Sequence, residues 1–132
     1  MGGVRRAPRR VKVYFDGGCR PNPGRIEVAV VARGKSYFFD DLGEGTSSDA
    51  EWRALGAALE VARSLEAAQF ELIGDCANVI AQAKREAPCR SAAAAQYRET
   101  LQQAGGSQVK IRWVRRNQNL AGIALERRRS RL

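Results

Sequence analysis

There is no histidine in this chain of 132 residues. Its absence excludes Ser-His-Asp and Cys-His catalysis and any zinc site that needs imidazole. Cysteine is sparse. Cys19, Cys76 and Cys89 make an odd set with no C-x-x-C, which argues against a disulfide framework and for a reducing compartment, the cytoplasm. No apolar run approaches the roughly 18 residues of a membrane span. The first ten residues lack the apolar core of a signal peptide, and Arg6 stands where a myristoylation pattern requires Ser or Thr. Acids are short too: 14 Asp and Glu against 23 Lys and Arg leave a net charge of +9 and a pI near 10.3.

So basic a balance favours a polyanionic partner, nucleic acid before a membrane surface. With 44% hydrophobic residues the chain can bury a core, and its length suits one domain. We expect a basic arm over residues 1–10, around Arg5, Arg6, Arg9 and Arg10, and a single domain over residues 11–132. A monomer is expected. The basic C-terminus, Arg127 to Arg131, reads as a solvated tail.

The periodicity sets the element order. Val11 to Asp16 alternates as a half-buried strand, and Glu27–Val31 and Lys35–Asp40 read as two more, joined at Arg33-Gly34. From Ser48 the period lengthens: Ala50, Ala54, Leu55, Ala58, Leu59 and Ala62 mark an amphipathic helix. Phe70–Ile73 is a fourth strand, Asn78–Lys84 a short helix, and Ser91–Ala104 a longer one that Gly105-Gly106 ends. Val109–Val114 is a fifth strand, and a last helix runs from Leu120 to Arg129. The order predicts an α/β fold: a mixed five-stranded sheet, three antiparallel strands and then parallel ones, flanked by helices.

Two strands end in carboxylates. Asp16 opens a Gly- and Pro-rich stretch, Asp16-Gly17 through Asn22-Pro23-Gly24, and Asp75 follows Gly74 at the end of the fourth strand. Asp16-Gly17 alone reads as an ordinary turn. If the strands are parallel neighbours, both carboxylates emerge at one sheet edge, where ligands bind. Such a pair repels unless a cation holds it, and hard Mg²⁺ or Mn²⁺ suits carboxylate oxygens. Glu51 is a third acid. It fits equally a capping box with Ser48 at the start of the long helix.

With these elements in place, the chain resembles the type 1 ribonuclease H (RNase HI) family over about residues 11–126. That family carries D-G-x-x-x-x-N-P-G after its first strand, here Asp16-Gly17 to Asn22-Pro23-Gly24. Its first-helix glutamate falls on Glu51, and its short strand ending in Asp falls on Asp75-Cys76. Its W-V-x-x-x-x-N-x-x-A-D element is matched to Trp113-Val114 through Leu120-Ala121-Gly122. The resemblance implies an RNase H-like fold and hydrolysis of the RNA strand of RNA–DNA hybrids, leaving 5′-phosphates. It implies two Mg²⁺ or Mn²⁺ ions on Asp16, Glu51 and Asp75, with Asp16 touching both. It also places Cys19, Asn22, Ser47 and Ser48 along the hybrid's minor groove, and Thr46 with Asn22 at a DNA phosphate.

The match breaks at the fourth carboxylate, set here at Gly122, which has no side chain; Glu126, one turn on, is the candidate substitute or an ordinary surface residue. The family's mobile histidine is missing, and Arg116 or Asn117 occupies its region. A hybrid-binding module without chemistry is the alternative, and a nuclease of DNA junctions a more distant one. Cys19 and Cys76 are either a redox pair or small residues in the site wall, the second reading being preferred.

Overall fold

The structure is a computed structural model that describes residues 10–105 and 109–131. The basic arm, apart from Arg10, lies outside the described residues, as does Gly106 of the expected helix stop.

Strand β1 (Val11–Cys19) lies at the middle of the sheet, flanked by antiparallel β2 (Gly24–Ala32) and parallel β5 (Phe70–Gly74). Outside them pair β3 (Lys35–Phe39), antiparallel to β2, and β6 (Lys110–Trp113), parallel to β5, in the order β3-β2-β1-β5-β6. The expected mixed sheet is there, with six strands among the described residues rather than five. The sixth, β4 (Glu44–Gly45), pairs with Gly24 and Arg25 of β2. Two residues are too few for alternation to register in a sequence. The β2–β3 turn is Arg33-Gly34, both at positive φ (52° and 76°), as a tight two-residue hairpin demands.

Helices α1 (Ser47–Ser64) and α4 (Leu120–Ser130) cover opposite faces of the sheet; α2 (Ala77–Ala83) and α3 (Ala92–Gln103) complete the chain. Along β1, Val13 and Phe15 face α1 and join the main core with Ala54, Leu55, Ala58, Leu59 and Ala62. Tyr14 faces the other way, where Ala29 and Val31 meet Ala121 and Leu125 of α4. Among the described residues no helix is long and apolar enough to cross a membrane.

Asp16 does not end β1. β5 pairs with β1 only from Val11 to Tyr14, while β2 remains paired through Cys19. Asp16, Gly17 and Gly18 are therefore strand, not turn, and Asp16 sits just past the point where β1 loses its parallel neighbour. The opening in the sheet, rather than a bend in the backbone, gives its carboxylate room.

Candidate active site

Glu51 reaches the same opening from the first turns of α1. The capping box at this helix is formed by Thr46 and Asp49: Asp49 N donates to Thr46 Oγ1 at 3.1 Å, and Thr46 N to Asp49 Oδ2 at 2.9 Å. The Ser48–Glu51 box expected from the S-x-x-E spacing is not used, so Glu51 is free of capping. The helix approaches β1 closely because residue 17 is glycine. A Cβ there would lie 2.2 Å from Ala50 O, inside any tolerable contact. That approach lets Gly17 N donate to Glu51 Oε1 at 3.1 Å.

Asp75 follows β5 and is half-buried. Asn119, fully buried, holds it: Nδ2 donates to Asp75 Oδ2 at 2.8 Å and to Phe15 O at 2.9 Å. Asn119 Oδ1 accepts from Ala121 N at 3.1 Å and so caps α4. One amide thus ties the central strand, the carboxylate and the last helix together. Sequence reading did not single out Asn119; its only signal was a position in the W-V element and the N-cap propensity of asparagine.

Asp16, Glu51 and Asp75 each offer a carboxylate oxygen, and these oxygens all lie within 4.8 Å of one another. Burial, then the charge of Asp16, pushes the Glu51 carboxyl up to about 9. Burial raises Asp16 as well, while Glu51, Arg116 and Arg129 pull it back down. In the bare protein Glu51 therefore holds the proton of the pair. Glu51 Oε2 is buried without a hydrogen-bond partner. In the bare protein the proton relieves this crowding of three acids; a cation would do so with all three ionised, so these residues fit a hard divalent ion.

The last helix contributes no acid. A Cβ on Gly122 would lie 3.5 Å from Asp16 Oδ2 and 3.7 Å from Asp75 Oδ2, space for a hydrogen or a methyl. Counted residue by residue from Trp113-Val114, the W-V-x-x-x-x-N-x-x-A-D pattern puts Asn119 on the N, Gly122 on the A and Ile123 on the D. Counted this way, the family's fourth acid falls on Ile123, one residue beyond Gly122. Glu126 does not join them. It is exposed and pairs with Arg20 at 3.5 Å.

The expected nucleic-acid residues cluster beside the opening. Asn22 Oδ1 accepts from Ser47 N at 3.1 Å and faces the Cys19 thiol at 3.6 Å. The thiol also donates to Gly45 O at 3.4 Å. Thr46 and Ser48 are exposed beside them at the start of α1. Cys19 and Cys76 are both free; Cys76 is the N-cap residue of α2. Arg116, on a short 3-10 turn (Arg116–Gln118) before α4, is exposed, and its side chain makes no hydrogen bond or ion pair among the described residues.

A family model described as reverse transcriptase-like matches residues 15–127. The chain belongs to the reverse transcriptase-like family, and within it to the RNase HI type. A ribonuclease HI of Halobacterium salinarum is 40% identical over 75 residues, which span 50% of this chain and 36% of that protein. The crystal structure of RNase H1 from Halobacterium salinarum superposes with a TM-score of 0.79 at 29% identity, covering 89% of this chain and 94% of that one. The N-terminal RNase H domain of a Mycobacterium tuberculosis protein matches with TM-score 0.75 at 23% identity over 89% of this chain and 95% of that domain. LC11-RNase H1 in complex with an RNA/DNA hybrid gives 0.70 at 21%, over 84% and 89%. These last two likenesses speak for the fold alone.

Proposed function

We propose that residues 11–132 act as one domain that hydrolyses the RNA strand of RNA–DNA hybrids, leaving 5′-phosphates. The observation that carries this reading is the meeting of Asp16, Glu51 and Asp75 within 4.8 Å, on the fold and in the family of RNase HI. These three would hold Mg²⁺ or Mn²⁺, two ions in the family's manner. Bound there, the metal supplies Lewis-acid stabilisation of charge on the phosphate oxygens and lowers the pKa of water. The protein's own part is placement. Gly17 N–H fixes one oxygen of Glu51, and Asn119 fixes one oxygen of Asp75. The exposed Arg116 brings positive charge near Asp16, where a phosphodiester would sit. Cys19, Asn22, Thr46, Ser47 and Ser48 form the rim that would meet the minor groove, whose 2′-hydroxyls mark RNA. The free cysteines support a cytoplasmic setting.

One observation favours a second reading. With Gly122 and Ile123 where the family element carries A-D, the fold is also suited to a hybrid-binding module with little or no chemistry. Cleavage of labelled hybrid, duplex RNA and duplex DNA, first in Mg²⁺ and then in Mn²⁺, separates the two. The enzyme reading expects cuts in the RNA of the hybrid only, faster in Mn²⁺, which tolerates an incomplete ligand set better than Mg²⁺. Binding of hybrid with no cut in either ion establishes the module.

A further inference from the structure

Four large apolar side chains are exposed among the described residues: Phe38, Trp113, Leu120 and Ile123. Phe38 lies under the Arg128 guanidinium, 4.6 Å from its ring centroid. Of the other three, 48%, 46% and 37% exposed, Trp113 touches Asp75, and Leu120 and Ile123 lie on the helix that Asn119 joins to Asp75. Trp113 Nε1 donates to Asp75 O at 3.0 Å, which pins the indole beside the carboxylates. Leu120 directly follows Asn119, whose amide holds Asp75 Oδ2, and Ile123 stands one turn on from Leu120 along the same helix face. Arg115 and Arg116, both exposed, lie between Trp113 and the helix. An apolar rim is costly in water and does nothing for a metal site. An anchored indole, followed two and three positions on by arginines whose side chains make no hydrogen bond or ion pair among the described residues, is a composition suited to stacking a base while holding its phosphates.

We propose that Trp113, Leu120 and Ile123 form a stacking platform for an unpaired nucleobase, so that the protein prefers hybrids carrying a single-stranded overhang beside the cleavage site. The preference builds on the hybrid reading above, while the platform itself asks only for a single strand. The net charge of +9 favours nucleic acid over an apolar protein segment as its occupant. Because the ring is already fixed through Nε1, stacking sacrifices little side-chain freedom.

The test is equilibrium binding in EDTA, where no cleavage intervenes. Three hybrids of equal duplex length are compared: blunt, with a four-nucleotide overhang, and with the same overhang made abasic. We expect the base-bearing overhang to bind about tenfold more tightly than the blunt hybrid, and the abasic overhang to lose that gain. Tryptophan emission should change on binding, because Trp113 is exposed whereas Trp52 is buried. Trp113→Ala and Leu120→Ser should each bring the overhang-to-blunt ratio to about one, and Trp113→Phe should retain most of it. The ratio cancels any general effect of a variant on folding or on Asp75. A ratio of one in the unaltered protein, or an equal gain from abasic overhangs, overturns the proposal and leaves the rim to a protein partner. If no hybrid binds at all, the hybrid reading fails, and the platform is judged on the free strand: quenching of Trp113 by a base-bearing but not an abasic strand supports it, and equal response overturns it.

Discussion

Replacing Asn119 by alanine removes a side chain that joins the central strand, Asp75 and α4. Three hydrogen bonds go: to Phe15 O at 2.9 Å, to Asp75 Oδ2 at 2.8 Å, and from Ala121 N at 3.1 Å. Asn119 is fully buried, so Phe15 O and Ala121 N are left without partners and out of reach of water. A buried group stranded in this way costs about 1–3 kcal/mol, and loss of an N-cap about 1 kcal/mol. Allowing for overlap between the cap and the Ala121 bond, we expect Asn119→Ala to lose about 3–5 kcal/mol in urea unfolding with EDTA present. Asn119→Asp sharpens the test. It keeps the acceptor that caps α4 but sets a second carboxylate against Asp75 Oδ2. Its deficit should therefore shrink when Mn²⁺ is added, whereas that of Asn119→Ala should not. A loss below about 1 kcal/mol for Asn119→Ala, or a deficit in Asn119→Asp that ignores Mn²⁺, would refute the role assigned to this amide.

Other outcomes follow from the same geometry. Gly17→Ala drives a methyl into Ala50 O, a backbone atom that cannot step aside, so it should cost about 3 kcal/mol or more of stability and depress cleavage by shifting Glu51. In EDTA, stability should fall as pH rises from about 5 to 9. The Glu51 carboxyl is raised to about 9 in the folded chain but titrates near 4.3 when unfolded, so the folded state favours the protonated form and that advantage is lost as pH climbs through the folded value. Urea melts at pH 5, 7 and 9 should show this slope and should show it flattened in Glu51→Gln. In Mg²⁺, Ile123→Asp should raise the initial cleavage rate at least tenfold and Gly122→Asp should not. The reverse result would return the fourth position to residue 122.

Much of this architecture is readable from periodicity. The α1 face of Ala54, Leu55, Ala58 and Leu59 and the alternation in β1 fixed which sides are buried, and the pairing of two strand-borne carboxylates followed from parallel neighbours. What was hidden is instructive. Asp-Gly looks like a turn, yet Asp16-Gly17 stays in the strand because β2 continues past the end of β5. The S-x-x-E spacing concealed Glu51 as a cap, because Thr46 and Asp49 form an equivalent box two residues earlier and the choice between them is made by packing against Gly17. Asn119 was invisible because its work is tertiary: its partners Phe15 and Asp75 lie 104 and 44 residues away. The exposure of Trp113, Leu120 and Ile123 is likewise a property of the assembled rim, not of any local pattern.

The metal-holding role of Asp16 is decided by comparing the unaltered protein with Asp16→Asn on a labelled RNA–DNA hybrid, measuring cleavage in Mg²⁺ and Mn²⁺ and binding in parallel. An amide oxygen is a poorer ligand for a hard cation, and removing the charge at Asp16 lessens repulsion of phosphate. Asp16→Asn is expected to lose cleavage by about a hundredfold or more while binding hybrid at least as tightly. Equal cleavage rates for the two proteins would contradict that role.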